Sequence, residues 1–230
     1  SSPCHDLDNP LHARRCWASK PLIKAVLFDA AGVLTAPFSA ELVHGALAAG
    51  ADPEVLVDVL LPLFASAGSG DSMGNRLERG EVSLDDFFAS LGLVEADARL
   101  VVDPAAETFF GRHWQPNATM QAFVLEVSAA GYATALVSNN VREWQATWDR
   151  LIPTSLPFDA RLFSWQLGSR KPEPGIYLAA LARLGVEASE ALFLDDFPAM
   201  AEGARKLGMA AIDVADTDAA IAEARTLLGL

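Results

Sequence analysis

Five short apolar runs recur along the chain, separated by longer stretches with helical spacing. The first, Ala25–Phe28, has no polar position and ends on Asp29. A continuous apolar run predicts a parallel strand buried on both faces, not an alternating strand with one wet face. Ala191–Leu194 repeats the pattern, and Ala133–Val137, Ala160–Ser164 and Met209–Val214 are mainly apolar, with Thr134, Arg161, Ser164 and Asp213 as their polar positions. The stretches between and after them predict helices: Ala118–Ala130 closed by Gly131, Val141–Leu151, Pro174–Leu184 closed by Gly185, Ala199–Leu207 closed by Gly208, and Thr217–Leu228. A glycine just past the last periodic residue is the usual stop, because it takes the left-handed conformation at no steric cost. Strands alternating with helices of about ten to fifteen residues predict βαβ units and a parallel sheet covered on both faces.

The alternation breaks between Ala36 and Gln115. This stretch is rich in Ala, Leu and acidic residues and holds no strong strand pattern. Ser39–Ala49 predicts a helix capped by Ser39 and stopped near Gly50. Pro53–Ala65 predicts a second, with Pro53 near its start and Pro62 as an internal defect. Ser83 opens a capping box with Asp86 or Asp85, and Phe87, Phe88 and Leu91 share one face beyond it. Pro104–His113 predicts another helix. The expected organisation is therefore an α/β core over 22–35 and 116–230, a helical insert over 36–115, and a polar tail over 1–21. The tail carries Pro3, Pro10 and Pro21 without a clear period and reads as flexible. Its Cys4, His5, His12 and Cys16 are of zinc-ligand type, but their spacing lacks the close pairs of the usual zinc modules. The opening on Ser1 reads as processing or truncation.

Composition narrows the function classes. A length of 230 residues at 51% apolar content supports one sizeable domain or a core with an insert. No run is long enough to span a bilayer and no signal-peptide core precedes the first strand, so no membrane partner is expected. A net charge of −13 argues against nucleic acid and anionic lipid surfaces, both of which need clustered Lys and Arg. Two cysteines, both ahead of the first strand, exclude a disulfide-built fold and fit a reducing, cytoplasmic setting.

Polar residues of catalytic type stand at the carboxyl ends of the predicted strands or in the loops after them: Asp29, then Ser138 and Asn139, then Arg170 and Lys171, then Asp195 and Asp196. Each alone has an ordinary explanation as a helix cap, turn or solvated surface. Parallel strands place all these ends on one sheet edge, so the residues converge there. Three carboxylates around one lysine repel one another, and a divalent cation relieves the conflict. Oxygen-only ligands suit Mg²⁺.

Four segments in this order, AVLFDAAGVLT (Ala25–Thr35), VSNN (Val137–Asn140), SRKPEPGIY (Ser169–Tyr177) and LFLDDFPAMAEGARKLGM (Leu192–Met209), resemble the haloacid dehalogenase superfamily of phosphohydrolases. The resemblance runs from Leu22 to Leu230 and is most specific from Gln115 to Met209. The branch it resembles includes the amino-terminal phosphatase domain of soluble epoxide hydrolases. The resemblance implies a Rossmann-like (HAD-like) α/β fold, a parallel sheet core with an inserted helical cap domain over the site. It also implies a Mg²⁺-dependent hydrolase acting on a small phosphorylated metabolite through an aspartyl-phosphate. In that reading Asp29 is the nucleophile and a metal ligand, the Ala31 carbonyl and Asp196 complete the protein ligands, and Asp195 stands just behind them. Ser138 and Asn139 bind the phosphate, and Lys171 holds Asp29 and the transferring oxygens together.

Two departures qualify that reading. Ala31 occupies the place of a second Asp that, in resembling phosphatases, protonates the leaving alkoxide and then activates water. General acid–base catalysis contributes about 10²–10⁴-fold, so weak or altered activity is expected. Met200 stands where an Asn often follows the acidic pair. His113 or His44 are candidates to replace the acid; alternatively the substrate carries a good leaving group, as an acyl or aryl phosphate does. A carbon–phosphorus cleaving relative also has Ala here but needs a cap lysine, and Pro37–Trp114 contains none. Asp195-Asp196 argues against the metal-free dehalogenases. The alternative from a different class is a non-catalytic metabolite- or partner-binding protein on the same fold.

Overall fold

The computed structural model describes residues 22–65 and 72–230, so the tail and its Cys4, His5, His12 and Cys16 lie outside the described residues. Five strands, β1 (Ala25–Phe28), β2 (Ala133–Ser138), β3 (Ala160–Phe163), β4 (Ala191–Asp195) and β5 (Ala210–Asp213), form one sheet in the order β3-β2-β1-β4-β5. All four neighbouring pairs are parallel. β1 lies at the centre, where the chain order reverses, and its carboxyl end opens on the crevice where such sheets bind ligands.

The continuous apolar runs have the expected cause: both sheet faces are covered. Val26 and Phe28 point to one face, against α6 (Ala118–Ala129) and α11 (Thr217–Leu228). Ala25 and Leu27 point to the other, against α9 (Pro174–Leu184) and α10 (Pro198–Lys206). The first face continues without a break into α1 (Phe38–Ala49), α2 (Pro53–Ala65), α4 (Leu84–Ala89) and α5 (Glu95–Val102), through Leu42, Leu60, Phe87 and Val101. α3 (Met73–Glu78) completes this helical set, which stands in sequence between β1 and β2. The chain leaves and re-enters the sheet side by side: Ala36 N–H donates to Gln115 O (2.9 Å), and Asn117 N–H donates to Leu34 O (2.9 Å).

Several expectations shift. Ser39 is not a cap: α1 begins at Phe38 after an extended Pro37, and no side chain caps it. Pro37 has its φ fixed before the first turn, and Phe38 packs into an aromatic group with Phe64, Phe110 and Trp144, which sets the entry. Pro104–His113 is not a helix but turns ending in a short 3₁₀ segment, Phe110–Arg112. Asp103 accepts from Ala105 N–H (2.9 Å), a local turn that competes with helix. Val141–Leu151 divides into a tight turn, Arg142–Trp144, and α7 (Gln145–Leu151). β3 stops at Phe163, because Ser164 opens the short α8 (Ser164–Leu167). The Ser83 capping box forms with Asp86 as expected.

Candidate active site

β1 delivers Asp29 to the sheet edge, where its N–H donates to Leu194 O (2.9 Å) as the last rung towards β4. The chain then makes a wide turn over Ala30–Leu34, closed by Thr35 N–H donating to Ala30 O (3.1 Å). Gly32 has φ of +77°, which favours glycine, and a Cβ there would lie 1.9 Å from Asp196 Oδ2. The missing side chain is the space that the Asp196 carboxylate occupies.

Lys171 comes from the loop between α8 and α9. Its Nζ lies 2.6 Å from Asp29 Oδ1 and 2.6 Å from Asp195 Oδ2, and its side chain is almost wholly buried. Asn139, just past β2, grips this loop from both sides: Lys171 N–H donates to Asn139 Oδ1 (2.7 Å), and Asn139 Nδ2 donates to Lys171 O (3.0 Å). Ser138 is buried at the end of β2, with its Oγ donating to the Asn139 carbonyl (3.3 Å). Asp195 accepts from Phe197 N–H (2.9 Å) through its other oxygen. All the carboxylates and the lysine singled out in the sequence thus meet.

The electrostatics of the group are unbalanced towards negative charge. Burial works to lower the Lys171 pKa, but the Asp195 and Asp29 carboxylates override it and hold the ammonium above its ordinary value. Burial, then Asp29 net of Lys171, pushes Asp195 up to about 7. Burial, then Asp29 and Asp195, push Asp196 up to about 8. Asp29, Asp195 and Asp196 each offer an oxygen within 4.8 Å of the others, and Asp196 Oδ1 is buried with no hydrogen-bond partner. An orphaned carboxylate oxygen inside a surplus of negative charge, with only oxygen donors around it, fits a hard divalent cation.

A cavity of about 60 Å³ opens on this group. Ala31, Glu78, Met200 and a wall of aromatic side chains line it. Arg170, the neighbour of Lys171, is fully buried and turns towards the helical insert: its Nε donates to Glu78 Oε2 (2.5 Å) and its Nη2 to Phe64 O (3.2 Å). Burial, opposed by Arg170, pushes Glu78 up to about 7. Neither histidine considered for the acid lines the cavity: His44 is 68% exposed beside Glu41, and His113 is exposed. Glu78 and the aromatic wall were not foreseen from sequence, where Glu78 is one acidic residue among many and the aromatics read as core.

The sequence profile of the haloacid dehalogenase-like hydrolases matches residues 23–208. The chain is 28% identical over 213 residues to acyl-CoA dehydrogenase family member 10 of Mus musculus, which covers 90% of this chain and 19% of that protein. It is 27% identical over 224 residues to bifunctional epoxide hydrolase 2 of Sus scrofa, covering 90% of this chain and 39% of that protein. The chain thus spans well under half the length of both relatives. It is also 28% identical over 163 residues to a sesquiterpene phosphatase of Aspergillus oryzae, covering 67% and 78%. In fold it matches a HAD family enzyme of Bacteroides thetaiotaomicron solved with magnesium and inorganic phosphate, at a TM-score of 0.60 and 19% identity over 83% of this chain and 93% of that one. A central strand ending on Asp29, a loop carrying Lys171 and the Asp195-Asp196 pair stand within the matched residues 23–208, most of the chain, and on that match this chain belongs to the haloacid dehalogenase-like hydrolases.

Proposed function

We propose that the chain is a Mg²⁺-dependent phosphohydrolase acting on a small phosphorylated metabolite in the cytoplasm, with 36–115 as a helical cap over a core of 22–35 and 116–230. The observation that carries the reading is the Lys171 ammonium held 2.6 Å from both Asp29 and Asp195 at the cavity floor. Lys171, 2.6 Å from Asp29 Oδ1, holds that carboxylate in place as the nucleophile and meets the charge of an incoming phosphoryl group. Asp29 attacks phosphorus, the bond from phosphorus to the ester oxygen breaks with that oxygen leaving on the electron pair, and water then hydrolyses the aspartyl-phosphate to free Asp29 and phosphate. Asp29, Asp196 and the Ala31 carbonyl would hold Mg²⁺, which supplies charge neutralisation for the phosphoryl oxygens when bound. Ser138, buried at the end of β2, and Asn139, which lines the cavity and fixes the Lys171 loop, would donate to the phosphate.

The test is phosphate release from small phosphate esters with and without Mg²⁺, for the wild type and Asp29→Asn. Turnover that needs both the metal and Asp29 supports the reading. Turnover indifferent to Asp29 contradicts it. The alternative, a non-catalytic binding protein, is favoured by one observation: Ala31 brings a methyl group, with no proton donor, to the cavity wall. Phosphate binding without turnover would select it.

A further inference from the structure

Resting on the phosphohydrolase reading, we infer that the substrate is a phosphate of a small, uncharged, apolar group that departs as a stable anion, with short-chain acyl phosphates as the class. Three features of the cavity point there.

The first is its lining. Phe38, Phe64, Trp114, Trp144, Trp148 and Phe197 face the space above Asp29. The indole N–H groups are already engaged within the fold: Trp114 donates to Ala36 O (2.8 Å), Trp144 to Val102 O (2.9 Å), and Trp148 to Asn140 Oδ1. Hydroxyls of a substrate laid against this aromatic wall find no partner there, which is costly.

The second is charge. Among the described residues lining the cavity, Lys171 is the one cation, and it lies between Asp29 and Asp195. The adjacent Arg170 is directed to Glu78 and Phe64 O. A second anionic group, such as the carboxylate of a phosphorylated amino acid, finds no second cation among these lining residues and meets four carboxyl groups instead.

The third is size and proton supply. The cavity is narrow, about 60 Å³ between the aromatic wall and Asp29, which favours a compact group behind the phosphoryl. Ala31 has no side-chain proton to give, and the other acidic residue of the wall, Glu78, is engaged by Arg170 at 2.5 Å. An acyl group needs no proton: Asp29 Oδ bonds to phosphorus, the bond from phosphorus to the acyl oxygen breaks, and the carboxylate leaves with the electron pair. Water then attacks the aspartyl-phosphate, releasing Asp29 and phosphate, which takes the water proton.

The test compares acetyl phosphate with isopropyl phosphate, alike in heavy-atom skeleton but with a basic leaving group, and with phosphoserine and glucose 6-phosphate. Full-length protein with Mg²⁺ is used, and Asp29→Asn corrects for spontaneous hydrolysis. Acetyl phosphate is expected to exceed isopropyl phosphate by at least about 10²-fold in kcat/KM, the span a general acid would level. Isopropyl phosphate is expected to inhibit competitively, while phosphoserine and glucose 6-phosphate do not. Equal turnover of isopropyl phosphate, or better turnover of phosphoserine or the sugar phosphate, overturns the substrate class and leaves the phosphohydrolase standing. Absence of Asp29-dependent turnover of every compound overturns the phosphohydrolase reading itself.

Discussion

In the proposed reaction, Ala31 is the residue on which the catalytic level turns. Ala31→Asp adds a carboxyl group to a turn whose backbone there is ordinary for any L-residue, at φ −71° and ψ 131°. Hydrolysis of alkyl phosphates is expected to rise about 10²-fold or more, and that of acyl or aryl phosphates much less, since a good leaving group scarcely needs protonation. Steady-state kinetics on one substrate of each kind read the unequal gain; equal gains would point to improved folding instead. Asp196 carries a pH signature. Its folded pKa of about 8 lies above the ordinary value of 3.8, so between those values the folded chain holds a proton the unfolded chain has released. Stability of the metal-free protein therefore falls as pH rises through this window, by about 1 kcal/mol or more between pH 5 and 8. Denaturant titrations across pH should show this slope, reduced in Asp196→Asn; a flat wild-type profile would contradict it. Most site residues were legible because strand ends announce themselves: an apolar run that stops at Asp29 or Asp195 leaves little choice of place. Glu78 was not legible, since its partner Arg170 lies 92 residues away and no local pattern links them.

At the scale of elements, the turn after β1 and the loop before α9 organise the site. Gly32→Ala would need a left-handed φ and a Cβ in the Asp196 carboxylate. It is expected to cost about 1–3 kcal/mol and to weaken Mg²⁺ binding, read by thermal unfolding and calorimetry. Unchanged binding would detach Asp196 from the metal site. Arg170 ties the ends of α2 and α3 to the loop of Lys171, and Arg79 adds a second tie to Glu173 (3.0 Å). Arg170→Met leaves Glu78 buried without this partner, expected to cost about 3–5 kcal/mol at pH 8. The loss should shrink towards pH 5 as Glu78 takes up a proton, and Arg170→Met with Glu78→Gln should recover part of it. A loss independent of pH would assign the effect to packing alone. Strands and capped helices were readable here because their signals are local. The entry of α1 and the stretch over Pro104–His113 were not, because aromatic packing among Phe38, Phe110, Trp114 and Trp144 decides them at long range.

For the whole molecule, a five-stranded parallel sheet brings Asp29, Asn139, Lys171 and Asp195 from four separate stretches to one edge, and the helices between β1 and β2 supply Glu78 and part of the aromatic wall above them. With a net charge of −13 on the chain, the proposed phosphate substrate would meet an unfavourable general field that Lys171 and a bound cation would have to overcome locally. Among the described residues no helix is long and apolar enough to cross a membrane. The most direct measurement is on Asp29 itself: rapid acid quench of the protein with Mg²⁺ and acetyl phosphate, followed by peptide mass spectrometry. A phosphorylated Asp29 that accumulates and decays with turnover, and is missing in Asp29→Asn, is the expected result. Phosphate release with no label on Asp29, or a label on another residue, would contradict the assignment of Asp29 as the nucleophile.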